Sequence, residues 1–160
     1  MSESTEDVLL RLGALVGEWT TESTHPALPD TIVRGQASFE WLEGKKFLIW
    51  REHSDHPDFP DAISIIGVTG GLQTHSYDSR GVYRTMETRI SDETWELSMP
   101  REQPSDTAFA EGSSGFAARF VGTFADGGST ILGRVQLSYD DKTWEDDLKT
   151  TYRRVTTRQN

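Results

Sequence analysis

Apolar residues recur with a helical period in one segment near the start of the chain. A single apolar stripe is formed at positions i, i+1, i+4, i+7 and i+8 by Val8, Leu9, Leu12, Leu15 and Val16. Ser4 precedes Asp7 by three residues, which resembles a capping box, and Gly17 is placed to end the helix. The pattern therefore predicts one short N-terminal helix, with a flexible tail over residues 1–4.

Beyond Gly17 the chain alternates between apolar and polar positions in short stretches that turn residues separate. Even spacing of such stretches, with no helix between them, is typical of antiparallel sandwiches and barrels. Alternation is clearest where every second residue from Phe116 to Phe124 is apolar or glycine. The ninth strand puts every second residue from Ile131 to Leu137 on one face, and the tenth puts Trp144, Leu148 and Tyr152 on a face with Arg154. We predict ten strands near residues 18–25, 32–42, 46–54, 62–69, 72–78, 82–90, 93–99, 115–125, 129–139 and 146–156.

The connections between these strands fall into two classes that alternate along the chain. Tight turns are predicted at 43–45, 69–71, 91–92 and 125–128, and mostly longer connections at 26–31, 55–61, 79–81, 100–114 and 140–145. Alternate connections of an up-and-down barrel lie at the same end. The sequence therefore predicts an all-β fold, a ten-stranded antiparallel up-and-down barrel in one domain over residues 1–160. Its helix lies at the closed end and its long loops form the mouth, where functional residues tend to lie.

Charge and composition exclude several classes of partner. The 160 residues carry a formal net charge of −10, whereas nucleic acids and anionic membranes select clustered Lys and Arg. The sequence has no apolar run as long as a membrane span, no secretory leader pattern and no cysteine. A cytoplasmic location is expected as the default. No phosphate loop, dinucleotide fingerprint or catalytic-triad motif occurs, so the expectation is a protein without cofactor or metal.

Several segments resemble known proteins. Gly17-Glu18-Trp19, between the predicted helix and first strand, resembles the Gly-x-Trp signature of lipocalins and other calycins. Nearly the whole chain from Leu12 resembles an uncharacterised bacterial group of lipocalin-like proteins that is distantly similar to nitrobindins. The resemblance is carried by residues 56–61, 77–82, 120–124 with 133–134, and 144–145 with 152–154.

The resemblance implies roles for a few residues and excludes one cofactor. In calycins the signature tryptophan closes the barrel floor and a basic residue of the last strand packs across it, so Gly17, Trp19 and Arg154 (or Arg153) are expected to be structural. Nitrobindins hold haem through a histidine in the C-terminal part of the barrel. Here the last histidine is His75, and haem is therefore not expected.

All four histidines are predicted to lie toward the mouth of the barrel. His25 follows Trp19 by six residues on the same face of the first strand, about 20 Å at roughly 3.3 Å per residue. His53 ends the third predicted strand, His56 follows it, and His75 is near the end of the fifth. Nearby polar residues complete a ring around the mouth: Asp55, Asp58, Asp61, Tyr77, Asp78 and Arg80.

Three interpretations of this ring remain open. The spacing of His53 and His56 with Asp55 and Asp58 suggests a metal site, which needs several ligands to converge at about 2 Å from the ion. A histidine near neutral pKa beside a carboxylate suits acid–base catalysis in an isomerase, cyclase or hydrolase. Alternatively, these are surface histidines and aspartates that bond to their own turns. Asp78-Ser79-Arg80-Gly81 is itself typical of a turn, although Arg80 suits an anionic ligand.

The strand near 46–54 is apolar on both faces, so its orientation is ambiguous. If Phe47 and Ile49 face the interior, Arg51 and His53 line the cavity; if Leu48 and Trp50 do, Glu52 lines it. An inward charge needs a partner or a ligand because an unpaired buried charge costs several kcal/mol. Either way the outer face of the strand must also be covered, by the helix or by a second subunit, which makes a homodimer an expectation.

We predict that the barrel binds a small, partly apolar molecule that enters at the end carrying His25, His53 and His75. One alternative is a cofactor-free enzyme that uses one of these histidines as general acid and base. Another is a barrel filled by its own side chains that acts as a self-associating scaffold. The candidate ligand-binding residues are His25, Trp41, Arg51, His53, His75, Tyr77, Arg80, Phe116 and Phe120.

Overall fold

The computed structural model describes residues 4–100 and 116–156. A helix α1 (Thr5–Leu12) is followed by a 3-10 turn (Gly13–Leu15) and by ten strands. The strands are β1 (Gly17–His25), β2 (Leu28–Trp41), β3 (Phe47–Ser54), β4 (Ala62–Val68), β5 (Leu72–Asp78), β6 (Tyr83–Ile90), β7 (Thr94–Met99), β8 (Ala117–Ala125), β9 (Thr130–Ser138) and β10 (Glu145–Arg154). A second 3-10 turn (Asp126–Gly128) joins β8 to β9.

The ten strands form one closed antiparallel barrel, as the sequence predicted. Each strand pairs with its neighbour in the chain, and β1 closes the ring by pairing with β10, with Trp19 opposite Arg154. Closure leaves no unpaired strand edge. The connections after β2, β4, β6 and β8 lie at one end, the floor, and those after β1, β3, β5, β7 and β9 lie at the other end, the mouth.

The helix plugs the floor of the barrel. Ser4, part of the predicted tail, caps α1 by accepting a hydrogen bond from the amide of Asp7 (3.1 Å). The apolar stripe is buried at Leu9 and Leu12, and the 3-10 turn adds Leu15. Arg11 pairs with Asp92 in the β6–β7 turn (2.8 Å), which ties the helix to the floor.

Trp19 and Arg154 form the floor contact that the resemblance implied. The guanidinium of Arg154 lies 4.2 Å from the centre of the Trp19 ring. It also donates to the carbonyl oxygens of Val16 and Ala14 (2.8 Å for Ala14). The indole N–H of Trp19 donates to the carbonyl of Leu15 (2.9 Å). These contacts join the last strand to the segment between the helix and β1.

Two local expectations are wrong. The predicted 26–31 loop is a tight turn, because His25 already pairs with Leu28 and β2 extends over fourteen residues. Trp144, expected on the same face of the last strand as Leu148 and Tyr152, lies against Arg119, with 4.0 Å between the guanidinium carbon and the ring centre. A register shift between Asp146 and Lys149 interrupts the pairing of β10 with β9 and reverses the side-chain alternation there.

An aromatic cluster fills the centre of the barrel. Trp50 stacks on Phe39 with ring centres 5.4 Å apart, and Trp95 meets Trp50 edge-on at 5.0 Å. Phe120 in turn meets Trp95 edge-on at 4.9 Å. The cluster belongs to the same hydrophobic core as Leu12 and Leu15 of the floor. In the part of the chain that the structure describes, no helix is long and apolar enough to cross a membrane.

Candidate functional site

A cavity of about 220 Å³ lies inside the barrel, on the mouth side of the aromatic cluster. Seven of the ten strands, β3 and β5 to β10, contribute residues to its wall, and most of that wall is apolar. The apolar surface is supplied by Trp50, Met86, Leu97, Met99, Ala118, Phe120, Val135 and Leu148. The polar residues of the wall are Glu52, Ser76, Arg119, Thr150 and Tyr152.

Strand register places Glu52 inside the barrel. In the β2–β3 hairpin, Phe39 pairs with Trp50 and Ala37 pairs with Glu52. Directly opposed residues of antiparallel strands share a face, and Phe39 and Ala37 are both buried in the core. The interior face of β3 is therefore the one that carries Leu48, Trp50 and Glu52, which resolves the ambiguity left by its sequence.

Burial changes the acidity of Glu52. Desolvation in the barrel raises the pKa of its carboxyl group to about 7, because burial disfavours the charged form. No hydrogen bond or ion pair to the Glu52 carboxyl occurs among residues 4–100 and 116–156. The carboxyl thus stands between its neutral and ionised forms near neutral pH, without a protein partner for either.

Serine and threonine hydroxyls of the interior are satisfied in pairs. Ser64 and Ser76 are joined at 3.0 Å, Thr74 and Thr88 at 2.8 Å, and Ser23 and Thr150 at 2.8 Å. In each pair, a hydrogen bond between the two hydroxyls replaces the hydrogen bonds to water that they lose on burial. Against this background the lack of a partner at Glu52 is a local exception.

Tyr152 and Trp50 add two further unsatisfied groups to the cavity wall. Tyr152 is 3% exposed, and burial, with the nearby charge of Glu52, raises the pKa of its hydroxyl well above the usual value. Its hydroxyl makes no hydrogen bond to any described residue. The indole N–H of Trp50, a residue that is 6% exposed, also has no partner within the described ranges. A carboxyl, a phenol and an indole N–H that have no partner among the described residues therefore belong to the wall of one cavity.

Phe120 owes its position on the cavity wall to two glycines. A Cβ atom on Gly133 would lie 2.6 Å from Cε2 of Phe120, and one on Gly122 would lie 3.1 Å from Cε1. The ring therefore lies over both glycines, which pair with each other across β8 and β9. Side chains at these positions would push the ring away from this place.

Of the predicted ligand-binding residues, Phe120 alone lines the cavity in the described structure. Phe116 lies at the mouth end of β8, with its ring centre 6.1 Å from that of Tyr139. Trp41 is at the opposite end of the barrel and packs against the core. Its expected place in the cavity is wrong, because β2 carries it past the aromatic cluster toward the floor.

Arg51, His53 and Tyr77 lie on the outer face of the barrel, so the expectation that they line its cavity is wrong. They line instead an open depression of about 890 Å³ on the outside of β1 to β5, together with Asp61 and Ile63. The cations there already have partners. Arg51 pairs with Glu40, and Nδ1 of His53 lies 3.0 Å from Asp61. This hydrogen bond raises the pKa of His53 and lowers that of Asp61.

His25, His75 and Arg80 also lie outside the cavity. Nε2 of His25 contacts Asp147 at 2.6 Å, at the β1–β10 side of the mouth. His75 is on the outer face of β5, where Nδ1 is 3.0 Å from the hydroxyl of Tyr83. Arg80 pairs with Asp78 in the β5–β6 turn (2.7 Å). His56 lies in the β3–β4 loop, where its Nδ1 accepts a hydrogen bond from the amide of Asp58. None of the four histidines therefore lines the cavity.

A metal centre at the predicted His53–His56 loop finds no support in the geometry. Among the described residues, no three or more His, Asp or Glu side chains converge on a position that could hold an ion. His53 faces Asp61, whereas His56 bonds within its own turn. The turn-forming interpretation of this loop matches these contacts.

Sequence reasoning did not select Tyr152 or Trp50, and it named Glu52 only as one branch of an alternative. A usable signal was present for Glu52. The alternation of β2 from Val33 to Phe39 identifies its inner face, and the short connection after Trp41 then fixes which residues of β3 lie opposite. Tyr152 shared its predicted face with Leu148 and Arg154, so its inward direction could be derived, but its solitary hydroxyl could not.

Known proteins resemble this chain in fold but not in sequence. No model of a protein family matches the chain, and no curated protein matches it in sequence. Among solved structures, the fold is similar to that of Rv2717c from M. tuberculosis, with a TM-score of 0.62 and 14% identity over 93% of this chain and 98% of that chain. A redesigned β-barrel, mFAP1, bound to DFHBI, has a TM-score of 0.42 and 16% identity over 90% and 98%. At this identity the similarity to Rv2717c supports the barrel fold alone.

Proposed function

We propose that this barrel binds a small, partly apolar molecule in the cavity that Glu52 lines. The observation that carries the proposal is a half-buried carboxyl group that has no partner among the described residues and faces a mostly apolar cavity. Leaving a polar group buried and unpaired costs about 1–3 kcal/mol, and more for a charge. A bound molecule that hydrogen-bonds to Glu52 removes that cost, and its apolar part covers the aromatic wall.

The size of the cavity sets the size of the ligand. An apolar cavity of about 150 Å³ in another protein admits benzene, and the cavity here measures about 220 Å³. The space suits one aromatic ring with a short polar substituent. A long acyl chain or a tetrapyrrole is too large for it.

The ligand enters at the mouth, the end that the sequence analysis also favoured. The cavity lies between the aromatic cluster and the mouth, and its wall reaches Met99 and Ala118, next to the ends of β7 and β8. The long loop predicted over residues 100–114 was expected to form part of the mouth. Residues 101–115 lie outside the part of the chain that the structure describes. Within the described cavity wall, the residues proposed to contact the ligand are Glu52, Tyr152, Trp50 and Phe120.

Binding of benzamide, an uncharged ring with an amide, tests the proposal directly. Calorimetry or ligand-observed NMR should detect saturable binding at one site of the purified protein. Ala118→Leu adds three carbon atoms inside the cavity and should abolish it, whereas Ala14→Leu adds the same atoms at an exposed position of the floor. Benzamide binding that persists unchanged in Ala118→Leu, or no binding in either protein, contradicts the proposal. Native mass spectrometry of the freshly purified protein would reveal a co-purified molecule.

The same carboxyl supports a second candidate function, cofactor-free acid–base catalysis. The predicted histidine base has no support, because no histidine lines the cavity. Glu52, with its pKa raised to about 7, has the acidity that suits a general acid or base near neutral pH. The base-catalysed opening of 5-nitrobenzisoxazole reports such a group: the base removes the ring C–H proton as the N–O bond breaks, giving a nitrile and a phenolate. Turnover that Glu52→Gln eliminates would favour this candidate.

Several features of the structure bear on the remaining sequence-based predictions. The floor contact of Trp19 with Arg154 supports placing the chain among lipocalin-like (calycin) proteins. The filled-scaffold alternative loses support because the described residues leave a ligand-sized cavity. Outer-face residues such as Ile63 and Tyr77, which are 40% and 48% exposed, support the homodimer. The bacterial origin, the cytoplasmic location and the single domain stay predictions.

A further inference from the structure

The polar chemistry of the cavity is one-sided. Glu52, the one carboxyl side chain that lines it, forms no ion pair or hydrogen bond with a cation within the described ranges. Arg119 contributes to the wall, but Nε and Nη2 of its guanidinium donate to Gln136 (2.9 and 2.7 Å), and the group lies 4.0 Å from the centre of the Trp144 ring. Both of those contacts are on the outer face, where Gln136 also donates to Asp146. The positive charge that Glu52 lacks is therefore not supplied by Arg119.

The mouth above the cavity carries an excess of carboxylates. The β3–β4 and β9–β10 connections hold Asp55, Asp58, Asp61, Asp140 and Asp141, and β10 begins with Glu145, Asp146 and Asp147. Several cations at this end are already paired, such as Arg80 with Asp78 and Arg134 with Asp146. With a net charge of −10 for the whole chain, the field at the mouth attracts cations and repels anions.

The walls of the cavity also suit a flat cation. Trp50, Phe120 and Tyr152 present ring systems to a single space, and aromatic faces attract positive charge. Met86 and Met99 add thioether groups, which pack favourably against aromatic rings. A ring that carries a delocalised positive charge would use the carboxyl and the walls at once, whereas an anion would meet the unpaired charge of Glu52.

We propose that the ligand of this cavity is a small aromatic cation of the amidine or amino-heteroaromatic class, whose N–H groups donate to the carboxylate of Glu52. The inference rests on the proposed binding function and specifies its ligand. The phenol of Tyr152 is placed to accept or donate one further hydrogen bond to the same polar head group. The ring of the ligand lies between the Trp50 and Phe120 side of the cavity and its two methionines.

Three probes of nearly equal size separate charge from shape: benzamidine, benzamide and benzoate. Each has one ring and one planar head group, and these head groups are positive, neutral and negative near pH 8. Titration calorimetry on the full chain at pH 8 should give an affinity for benzamidine about tenfold or more above that for benzamide, as expected for a charge-assisted hydrogen bond. Benzoate should bind more weakly than benzamide.

A carboxamide at position 52 tests the assignment to Glu52. In Glu52→Gln the ratio of benzamidine to benzamide affinity should fall to about one. Glu93→Gln removes an equal charge from an exposed position in the β6–β7 turn at the floor, and its ratio should match that of the unaltered protein. A preference for benzamidine that survives in Glu52→Gln overturns the assignment.

The outcomes also separate this inference from the function on which it rests. Equal binding of all three probes, or a preference for benzoate, overturns the cationic ligand and leaves cavity binding intact. Failure of all three to bind overturns both. Loss of the preference in Glu93→Gln as well would show that net charge, and not the carboxyl in the cavity, produces it.

Discussion

Glu52 of β3 and Tyr152 of β10 interact electrostatically across the barrel interior, although β2 and β1 separate their strands in the sheet. The interaction shows itself in Tyr152, whose pKa is raised by burial and by the charge of Glu52. A carboxyl and a phenol that have no hydrogen-bond partner among the described residues are unfavourable in an apolar interior. A bound molecule that donates to Glu52 and exchanges a hydrogen bond with Tyr152 would supply the partners that both groups lack.

Glu52→Gln should stabilise the protein at alkaline pH. The folded-state pKa of about 7 lies above the ordinary value of 4.5, so the folded state binds more protons than the unfolded state between those values. Stability is therefore lost as the pH rises through that window. The shift corresponds to about 3 kcal/mol at pH 8, and urea unfolding of Glu52→Gln should recover an amount of that order relative to the unaltered protein.

The difference between the two proteins should shrink to near zero at pH 4.5, where Glu52 is protonated when folded. Carboxylates with lowered pKa, such as Asp61 and Asp140, are common to both proteins and cancel in the comparison. Glu93→Gln serves as the exposed control and should show no such pH-dependent gain. A pH-independent difference between Glu52→Gln and the unaltered protein would mean that burial does not raise the pKa of this carboxyl.

Removal of the three candidate histidines should leave cavity binding unchanged. His25, His53 and His75 all contact groups outside the cavity, namely Asp147, Asp61 and Tyr83. The combined variant His25→Gln, His53→Gln and His75→Gln is expected to bind benzamidine within about twofold of the unaltered affinity, a change of about 0.4 kcal/mol or less. Calorimetry at pH 8 measures this, and a tenfold loss would restore the histidines to the site.

Gly133→Ala should both destabilise the barrel and weaken ligand binding. The added Cβ would lie 2.6 Å from Cε2 of Phe120 and 2.9 Å from the carbonyl oxygen of Thr150. Relief of that overlap moves the ring toward the cavity, and overpacking of this kind costs about 1–3 kcal/mol. Thermal unfolding and benzamide titration report the two effects.

Gly13→Ala is the matched control for that substitution. No atom lies within 4 Å of a Cβ built on Gly13, and its φ of −57° suits any residue. Its stability should be unchanged or higher, since alanine restricts the unfolded chain more than glycine does. Equal effects of the two substitutions would indicate that Phe120 is not held by Gly133.

Arg154→Ala should open the floor of the barrel. The side chain donates to carbonyl oxygens of Val16, Ala14 and Gly128 and lies over Trp19. Loss of these contacts should lower the free energy of unfolding by about 2–4 kcal/mol. The neighbouring Arg153 is exposed and lies 3.6 Å from Glu22, so Arg153→Ala should cost at most about 1 kcal/mol. Similar losses for both would contradict a special role for Arg154.

The fold follows closely from the sequence because strand alternation and turn residues are local signals. In β8 and β9, for example, the predicted inner faces from Phe116 to Phe124 and from Ile131 to Leu137 match the observed pairing. The two local errors have identifiable causes. β2 begins at Leu28, four residues earlier than predicted, so a tight hairpin replaces the 26–31 loop. A register shift after Asp146 reverses the side-chain alternation on which the predicted face of Trp144 depended.

The candidate site is harder to predict from the sequence than the fold, because its residues depend on which face of β3 points into the barrel. Phe47 to Trp50 is apolar throughout, so periodicity within β3 cannot distinguish Arg51 and His53 from Glu52. Pairing with β2 decides the matter, and pairing is a tertiary property. The histidines attracted attention by their chemistry and their end of the barrel, yet their side chains point away from the cavity or along its rim.

The most direct test of the central claim observes the cavity wall itself. Met86 and Met99 line the cavity from β6 and β7, and their methyl groups give separate NMR signals after selective ¹³C labelling, assigned through Met86→Leu and Met99→Leu. Titration with benzamidine should shift both signals to saturation and yield intermolecular contacts between its ring protons and both methyl groups. If both signals stay fixed while the ligand binds elsewhere or not at all, this cavity is not the binding site and the account is wrong.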